Sequence, residues 1–205
     1  AAAAAAARGA VLLHYDFEAA ADTTGHGLAL TAHGASVSYD VCRASKGVRG
    51  VSMALNGDVS HRMETATPFD YVAATSSEKF TFSAWVYMTR DNDNGQDGRI
   101  AAQGDGGGNQ AAHDFLLSTE DCGGSYDSTR CSADGQSFSL RAFLRVGSFN
   151  SWVHGRRMMF ERRWHHVAMT IDDDGARTLR TYIDNVLDRT VQTNGGAGPA
   201  VLGGA

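Results

Sequence analysis

The chain has 205 residues, 42% of them hydrophobic and 20% charged, a globular composition long enough for one sizeable core. Its 18 Lys and Arg against 23 Asp and Glu give a net charge of -5, which argues against the basic surface that nucleic-acid binding requires. No apolar run approaches the ~20 residues of a membrane-spanning helix, and 24 glycines beside 2 prolines suit short strands joined by many turns.

Residues 1–7 are all alanine. They lack the charged start and leucine-rich centre of a secretory signal. They read as a stand-in for poorly identified residues or as part of a longer chain, so 1–10 are set aside and 11–205 are read as one domain. A first strand is expected over 11–17. A loop of small residues follows over 18–27, with turn chemistry at Asp22, Thr23, Thr24 and Gly25. Short strands are expected over 28–30 and 35–39. Residues 51–55 alternate before the turn signal Asn56-Gly57, and 59–64 read as the returning strand.

The strongest strand pattern covers 79–88. Phe80, Phe82, Ala84, Val86 and Met88 fall on one face, and Thr81, Ser83, Trp85 and Tyr87 on the other. Phe80, Phe82 and Trp85 are expected to hold the interior together. Further strands are expected over 99–103, 113–119, 137–146 and, more weakly, 152–160. Residues 163–171 form a strand that places Trp164, His166, Ala168 and Thr170 on one face and His165, Val167, Met169 and Ile171 on the other. Asp172, Asp173, Asp174 and Gly175 make a turn. Residues 179–185 return and enter a second turn, and 186–192 pair with that return. No helix of ten residues is expected. About a dozen short strands at this spacing indicate an all-β fold, an antiparallel two-sheet jelly-roll sandwich.

Cys122 and Cys131 enclose eight polar or small residues that can fold back on themselves. A disulfide between them, in an oxidising compartment, is the favoured reading, with two unpaired thiols as the alternative. Cys42 is left over. No Cys-x-x-Cys or His-x-x-x-His pair accompanies these residues, which argues against zinc.

Three segments together resemble the laminin-G-like, concanavalin A-like jelly-roll family. The first is G-V-R-G-V-S-M-A-L-N-G over 47–57, similar to a glycine-framed strand leading to a turn. The second is F-T-F-S-A-W-V over 80–86. The third is W-H-H-V-A over 164–168, followed by Y-I-D-N over 182–185, where Asn185 replaces the usual glycine of the family's Y-V-D-G. Asparagine also tolerates the left-handed conformation such a turn requires. The resemblance implies a further loop and closing strand after residues 201–204, so the domain is expected to lack that strand here and to leave 11–17 with an open sheet edge.

The resemblance also directs the search for chemistry. The family often carries structural calcium, and Glu18, Asp22 and the carbonyls around Gly25 supply hard oxygen ligands for it, with an ordinary turn as the alternative. Asp91 and Asp93 lie in a second acidic loop, a candidate for ligand contact, with a solvated hairpin tip as the favoured alternative. Trp152 is a candidate for stacking on a sugar ring, or a core tryptophan. Arg156, Arg157, Arg162 and Arg163 could grip an anionic glycan or guard an edge. His165 and His166 read as packed strand histidines rather than catalysts, since no serine or cysteine nucleophile sits in a recognisable motif. The related glucanases carry two glutamates and an aspartate alternating along one strand, and no such run exists here. The expectation is therefore an extracellular or cell-surface, non-catalytic recognition or assembly module that binds glycan or protein, including other subunits of a surface filament, sheath or matrix. A glycoside hydrolase on the same fold is the alternative.

Overall fold

A computed structural model describes residues 29–33, 38–41, 51–54, 62–65, 79–88, 98–104, 113–121, 137–146, 149–160, 162–172 and 178–192. Every regular element among them is a β-strand. Glu18, Asp22, Gly25, Asp91, Asp93, Cys42, Cys122 and Cys131 lie outside the described residues, as does the expected strand over 11–17.

The chain divides into two compact units, Ala1–Thr67 and Pro68–Ala205. In the first, β1 (Leu30–His33) pairs antiparallel with β4 (Arg62–Thr65), and β2 (Ser38–Val41) pairs antiparallel with β3 (Val51–Ala54). The expected hairpin from 51–55 into 59–64 is therefore corrected. The alternation in β3 is matched by β2, the strand before it, and β4 reaches back to β1. Glu64 anchors that outer pair, accepting from Arg62 beside it and facing His33 of β1 at 3.2 Å. Arg62 and the His33 ring hold its carboxyl below the usual carboxylate range, the Arg62 hydrogen bond contributing most.

The second unit holds two four-stranded antiparallel sheets. One runs β12-β11-β10-β5, comprising β5 (Phe80–Tyr87), β10 (Trp164–Asp172), β11 (Thr178–Ile183) and β12 (Val186–Gln192). The other runs β6-β7-β8-β9, comprising β6 (Gly98–Gly104), β7 (His113–Asp121), β8 (Ser137–Val146) and β9 (Phe149–Phe160). The alternation in β10 sets the inward face of the first sheet. Val167, Met169 and Ile171 are buried, and the register places them opposite Ala84, Phe82 and Phe80 of β5 and opposite Ile183, Thr181 and Leu179 of β11. From the second sheet, Leu117, Leu140, Ala142, Leu144 and Val153 are all buried. Each of the larger of these side chains contributes roughly 1.5–3 kcal/mol by leaving water.

Trp85 does not join this core. Its partner across the ladder is His166, whereas Val86 is opposite the buried His165. A period of two then turns Trp85 away from Val167 and Met169, and it is 54% exposed. The expectation of an interior Trp85 is overturned by the alternation of its own strand. Its neighbours Thr81 and Ser83, also exposed, mark the face.

The sandwich is pinned at one corner by Asp188 of β12. One carboxylate oxygen accepts the backbone N–H groups of Arg156 and Arg157, both at 2.8 Å, and the other accepts the Thr181 hydroxyl at 3.2 Å. Arg189 adds a bond to the His154 carbonyl at 3.1 Å. The β9 amides at 156 and 157 are free to turn outward because the β8–β9 register slips between Ser139 and Arg141. Gly155 makes the close approach possible. A methyl group there would lie 2.3 Å from the Asp188 carboxylate and 2.7 Å from the Leu140 carbonyl oxygen. Replacing Gly155→Ala is expected to cost about 1–3 kcal/mol in urea unfolding, as overpacking does, while Ser83→Ala on the open face stays within about 0.5 kcal/mol.

Candidate functional site

The side chains that could carry function must first be separated from those that hold the fold. His165 belongs to the second group. It is buried, its Nε2 accepts the Phe160 N–H at 3.1 Å, and its Nδ1 lies 2.8 Å from an Asp184 carboxylate oxygen. Because Nε2 is an acceptor, the ring proton sits on Nδ1 and is donated to Asp184. The other Asp184 oxygen accepts the His166 N–H at 3.0 Å, and the Asp184 N–H returns a bond to the His166 carbonyl at 2.8 Å. One carboxylate thus joins the start of β10 to the tip of the β11–β12 hairpin.

That tip explains the departure at Asn185. Ile183 pairs with Val186, leaving Asp184 and Asn185 as a two-residue turn with φ of 51° and 63°. This is the left-handed pair of a type I′ turn, which matches the strand twist and favours Asn, Asp or Gly. At the neighbouring β9–β10 turn, Arg162 has φ of 55°, and its N–H bonds the Met88 carbonyl at 2.9 Å.

The remaining carboxylates with described side chains are likewise engaged. Asp172 faces Lys79 at 2.6 Å and Arg180 at 3.8 Å, and the Lys79 hydrogen bond leads the effects that hold its carboxyl below the usual range. Glu64 is held by Arg62 and His33, and Asp188 by the β9 amides and Thr181. Among the described residues no group of three or more His, Cys, Asp or Glu is placed to hold a metal ion.

Trp152 lies on the face of β9 opposite Val153. It is half-buried, with the Phe143 ring 4.4 Å away, the Arg141 guanidinium 4.8 Å over its own ring, and His154 stacked at 6.2 Å. The register explains the cluster, since Trp152 pairs with Phe143 and His154 pairs with Arg141. Phe143 and Arg141 are themselves buried, so this tryptophan is packed among its neighbours. Arg156, Arg157, Arg162 and Arg163 are exposed, and the Arg163 guanidinium sits 5.5 Å over the Phe160 ring.

The open aromatic surface is elsewhere, on the outward face of β5, β10 and β11. Exposed Trp85 lies 5.2 Å from the His166 ring, and Tyr87 lies 5.4 Å from the Trp164 ring in the next row. The row on the other side of Trp85 runs Ser83, Ala168, Tyr182, Leu187 across four strands, and the one after it Thr81, Thr170, Arg180, Thr190. Leu187 is also exposed, at 49%. Sequence reasoning missed this surface by assigning Trp85 to the core, although the alternation had already grouped it with Thr81, Ser83 and Tyr87.

A family model described as the Concanavalin A-like lectin/glucanases superfamily, of laminin-G type, matches residues 63–205. No curated protein and no solved structure matches the chain.

Burial pushes the Asp184 carboxyl upward, but the bonds from His165 and from the His166 N–H, with the electrostatic pull of both imidazoles, together outweigh it and hold the pKa below the usual value. A carboxyl lowered on folding adds stability above its unfolded value, about pH 4, and that contribution is lost as pH falls through the lower folded value. Half of the Asp184 carboxylate is open to solvent, which screens its interactions, so Asp184→Asn is expected to lose under about 1 kcal/mol at pH 7, and to show a flatter decline than the parent chain between about pH 5 and pH 2. Urea unfolding across that window measures both.

Proposed function

The chain belongs to the concanavalin A-like lectin/glucanase superfamily, and on that footing we propose that it is a non-catalytic recognition module whose contact surface is the outward face around Trp85. The superfamily includes both binding modules and glycosidases, so the choice between them rests on this chain's own side chains. One observation carries the reading: a tryptophan 54% exposed on a regular strand, with ring neighbours on the adjacent strand. Single exposed hydrophobes are ordinary, but an indole, two ring pairs and an exposed leucine on one sheet face form a contiguous patch. Tyrosine and tryptophan supply large, rigid contact area with a polar handle, which suits recognition.

The acidic groups support the non-catalytic half of the proposal. A glycosidase needs two carboxyl groups converging on one bond. Among the described side chains, Glu64, Asp172, Asp184 and Asp188 each serve strand pairing or a turn instead. Laminin-G-like domains are commonly extracellular, which supports a place outside the cell or at its surface. A second reading, contact with a protein partner or another subunit, draws on exposed Val186 and Leu187 beside the β11–β12 turn.

The test compares the parent chain with Trp85→Ala on a glycan array and in crosslinking with purified matrix proteins. Loss of the parent chain's binding in the variant, at a melting temperature within about 2 °C of the parent, supports the proposal. Equal binding by both proteins removes Trp85 from the contact surface, and turnover of a β-glucan by the parent chain overturns the non-catalytic reading.

A further inference from the structure

We propose that His166 makes the Trp85 face proton-responsive: aromatic and uncharged at its centre when the imidazole is neutral, cationic there when the ring takes a proton. This inference rests on the reading of that face as the contact surface and names how the same surface is regulated. It starts from adjacency. His166 stands opposite Trp85 in the β5–β10 ladder, and the two rings lie 5.2 Å apart at 55°. That separation is inside the ~6 Å within which a cation is attracted to an indole. The imidazole is half-buried and the indole 54% exposed, so a charge gained by one ring stands beside the open surface of the other. Histidine is the side chain whose charge ordinarily changes between about pH 5 and pH 8. The two consecutive histidines of β10 divide the work. His165 points inward and uses both ring nitrogens in the fold, one accepting from the Phe160 N–H and the other facing Asp184. His166 meets Asp184 through its backbone N–H, and among the described residues its ring makes no hydrogen bond or ion pair, only the aromatic contact with Trp85. A proton can therefore be added to His166 without breaking a bond that holds the sheet.

The charged groups around the ring leave that proton visible at the surface. On β5 the outward neighbours are Ser83 and Tyr87, and Lys79 lies six residues before Trp85, roughly 20 Å at 3.3 Å per residue, against Asp172. On β10 Trp164 and Ala168 flank the ring, preceded by exposed Arg162 and Arg163, the Arg163 guanidinium lying over Phe160. On β11 Tyr182 is opposite Ala168, and Arg180 stands a row further away, 3.8 Å from Asp172. Asp184, in the turn that follows, is the acid beside His166 among the described residues. Its carboxyl is held below the usual range, so it stays ionised above about pH 5 and its charge is constant while an imidazole titrates. The pH-dependent charge of this part of the face is then that of His166. As pH falls, an acidic partner gains a cation beside the indole, and an apolar partner must strip water from an imidazolium. The face thus favours an apolar contact at neutral pH and an anionic one in mild acid.

Fluorescence quenching at about pH 8 and about pH 5.5, either side of an ordinary imidazole titration, tests the inference, with iodide as an anionic probe and acrylamide as a neutral one. The chain has three tryptophans, so the Trp85 contribution is the difference between the parent chain and Trp85→Phe. Iodide quenching of Trp85 should rise roughly two- to fourfold on acidification, the enrichment of a monovalent anion beside a unit charge about 5 Å away in salt water. Acrylamide quenching should stay unchanged, and His166→Gln should remove the iodide response. In the parent chain, the Trp85 indole N–H resonance should shift in step with the His166 ring protons during an NMR titration, a readout that needs no variant at 166. Iodide quenching that is constant with pH, or that changes equally in His166→Gln, overturns the inference and leaves the recognition reading standing. A Trp85 resonance that ignores the His166 step does the same. Equal acrylamide quenching of the parent chain and Trp85→Phe at both pH values would mean that the indole is closed to solutes, which overturns both.

Discussion

The imidazole of His165 is the point on which the second unit turns. It is buried between a backbone donor at Phe160 and a carboxylate at Asp184, so both ring nitrogens are satisfied in one tautomer. Phe160 ends β9, His165 stands near the start of β10, and Asp184 lies in the turn of the β11–β12 hairpin. A single side chain therefore ties the strand entering from one sheet to two strands of the other. Once His165 points inward, the pleat dictates the direction of every later side chain on β10. Val167, Met169 and Ile171 go to the core, and His166 goes out with Trp85 opposite it. The buried histidine and the exposed indole are two consequences of one register, and a slip of one residue would exchange them.

The same logic separates the features legible in the sequence from those that were not. Alternation located the strands of the second unit closely. The expected 137–146 became β8 at Ser137–Val146, and 186–192 became β12 paired with β11. The glycine-to-asparagine change at 185 was also readable, because a left-handed turn has few residue solutions. Which face of a strand meets the core is a different question. β5 has aromatic residues on both faces, so hydrophobicity alone favoured burying Trp85. The answer lay in pairing with β10, a contact about 80 residues away in sequence. Pairing of β4 with β1 rather than β3 was hidden for the same reason, since it depends on partners beyond a local hairpin.

Asp188 and Asp184 show how acidic residues can look functional in a sequence and prove structural. Each lies in or just beyond a turn in a polar stretch, a setting in which a metal ligand or a catalytic acid could equally sit. Each instead accepts backbone N–H groups, two at Asp188 and one at Asp184. A carboxylate can do this work across a gap between strands because it has several acceptor positions and no donor to satisfy. Where the β11–β12 ladder shifts register, between Thr181 and Tyr182, the Asp188 side chain supplies a bond that the bulge would otherwise leave unmade. Edge strands β9 and β12 are thereby fastened to each other, which blunts both against pairing with another chain.

That fastening has a consequence for where recognition can reside. With the β9–β12 corner closed by side-chain bonds and the inward faces filled, the first sheet's outward face is a broad surface that carries Trp85, the most exposed large hydrophobic side chain among the described residues. Its rigidity comes from the same contacts. Trp85 is held by the β5–β10 ladder, β10 is held at its start by His165, and the Arg162 N–H caps the end of β5 at Met88. A ring so placed needs little reorganisation to meet a flat ligand, and a preorganised contact loses less entropy on binding than a mobile loop does. The fold thus sets its open indole on a regular strand, where the spacing of side chains is set by backbone hydrogen bonds.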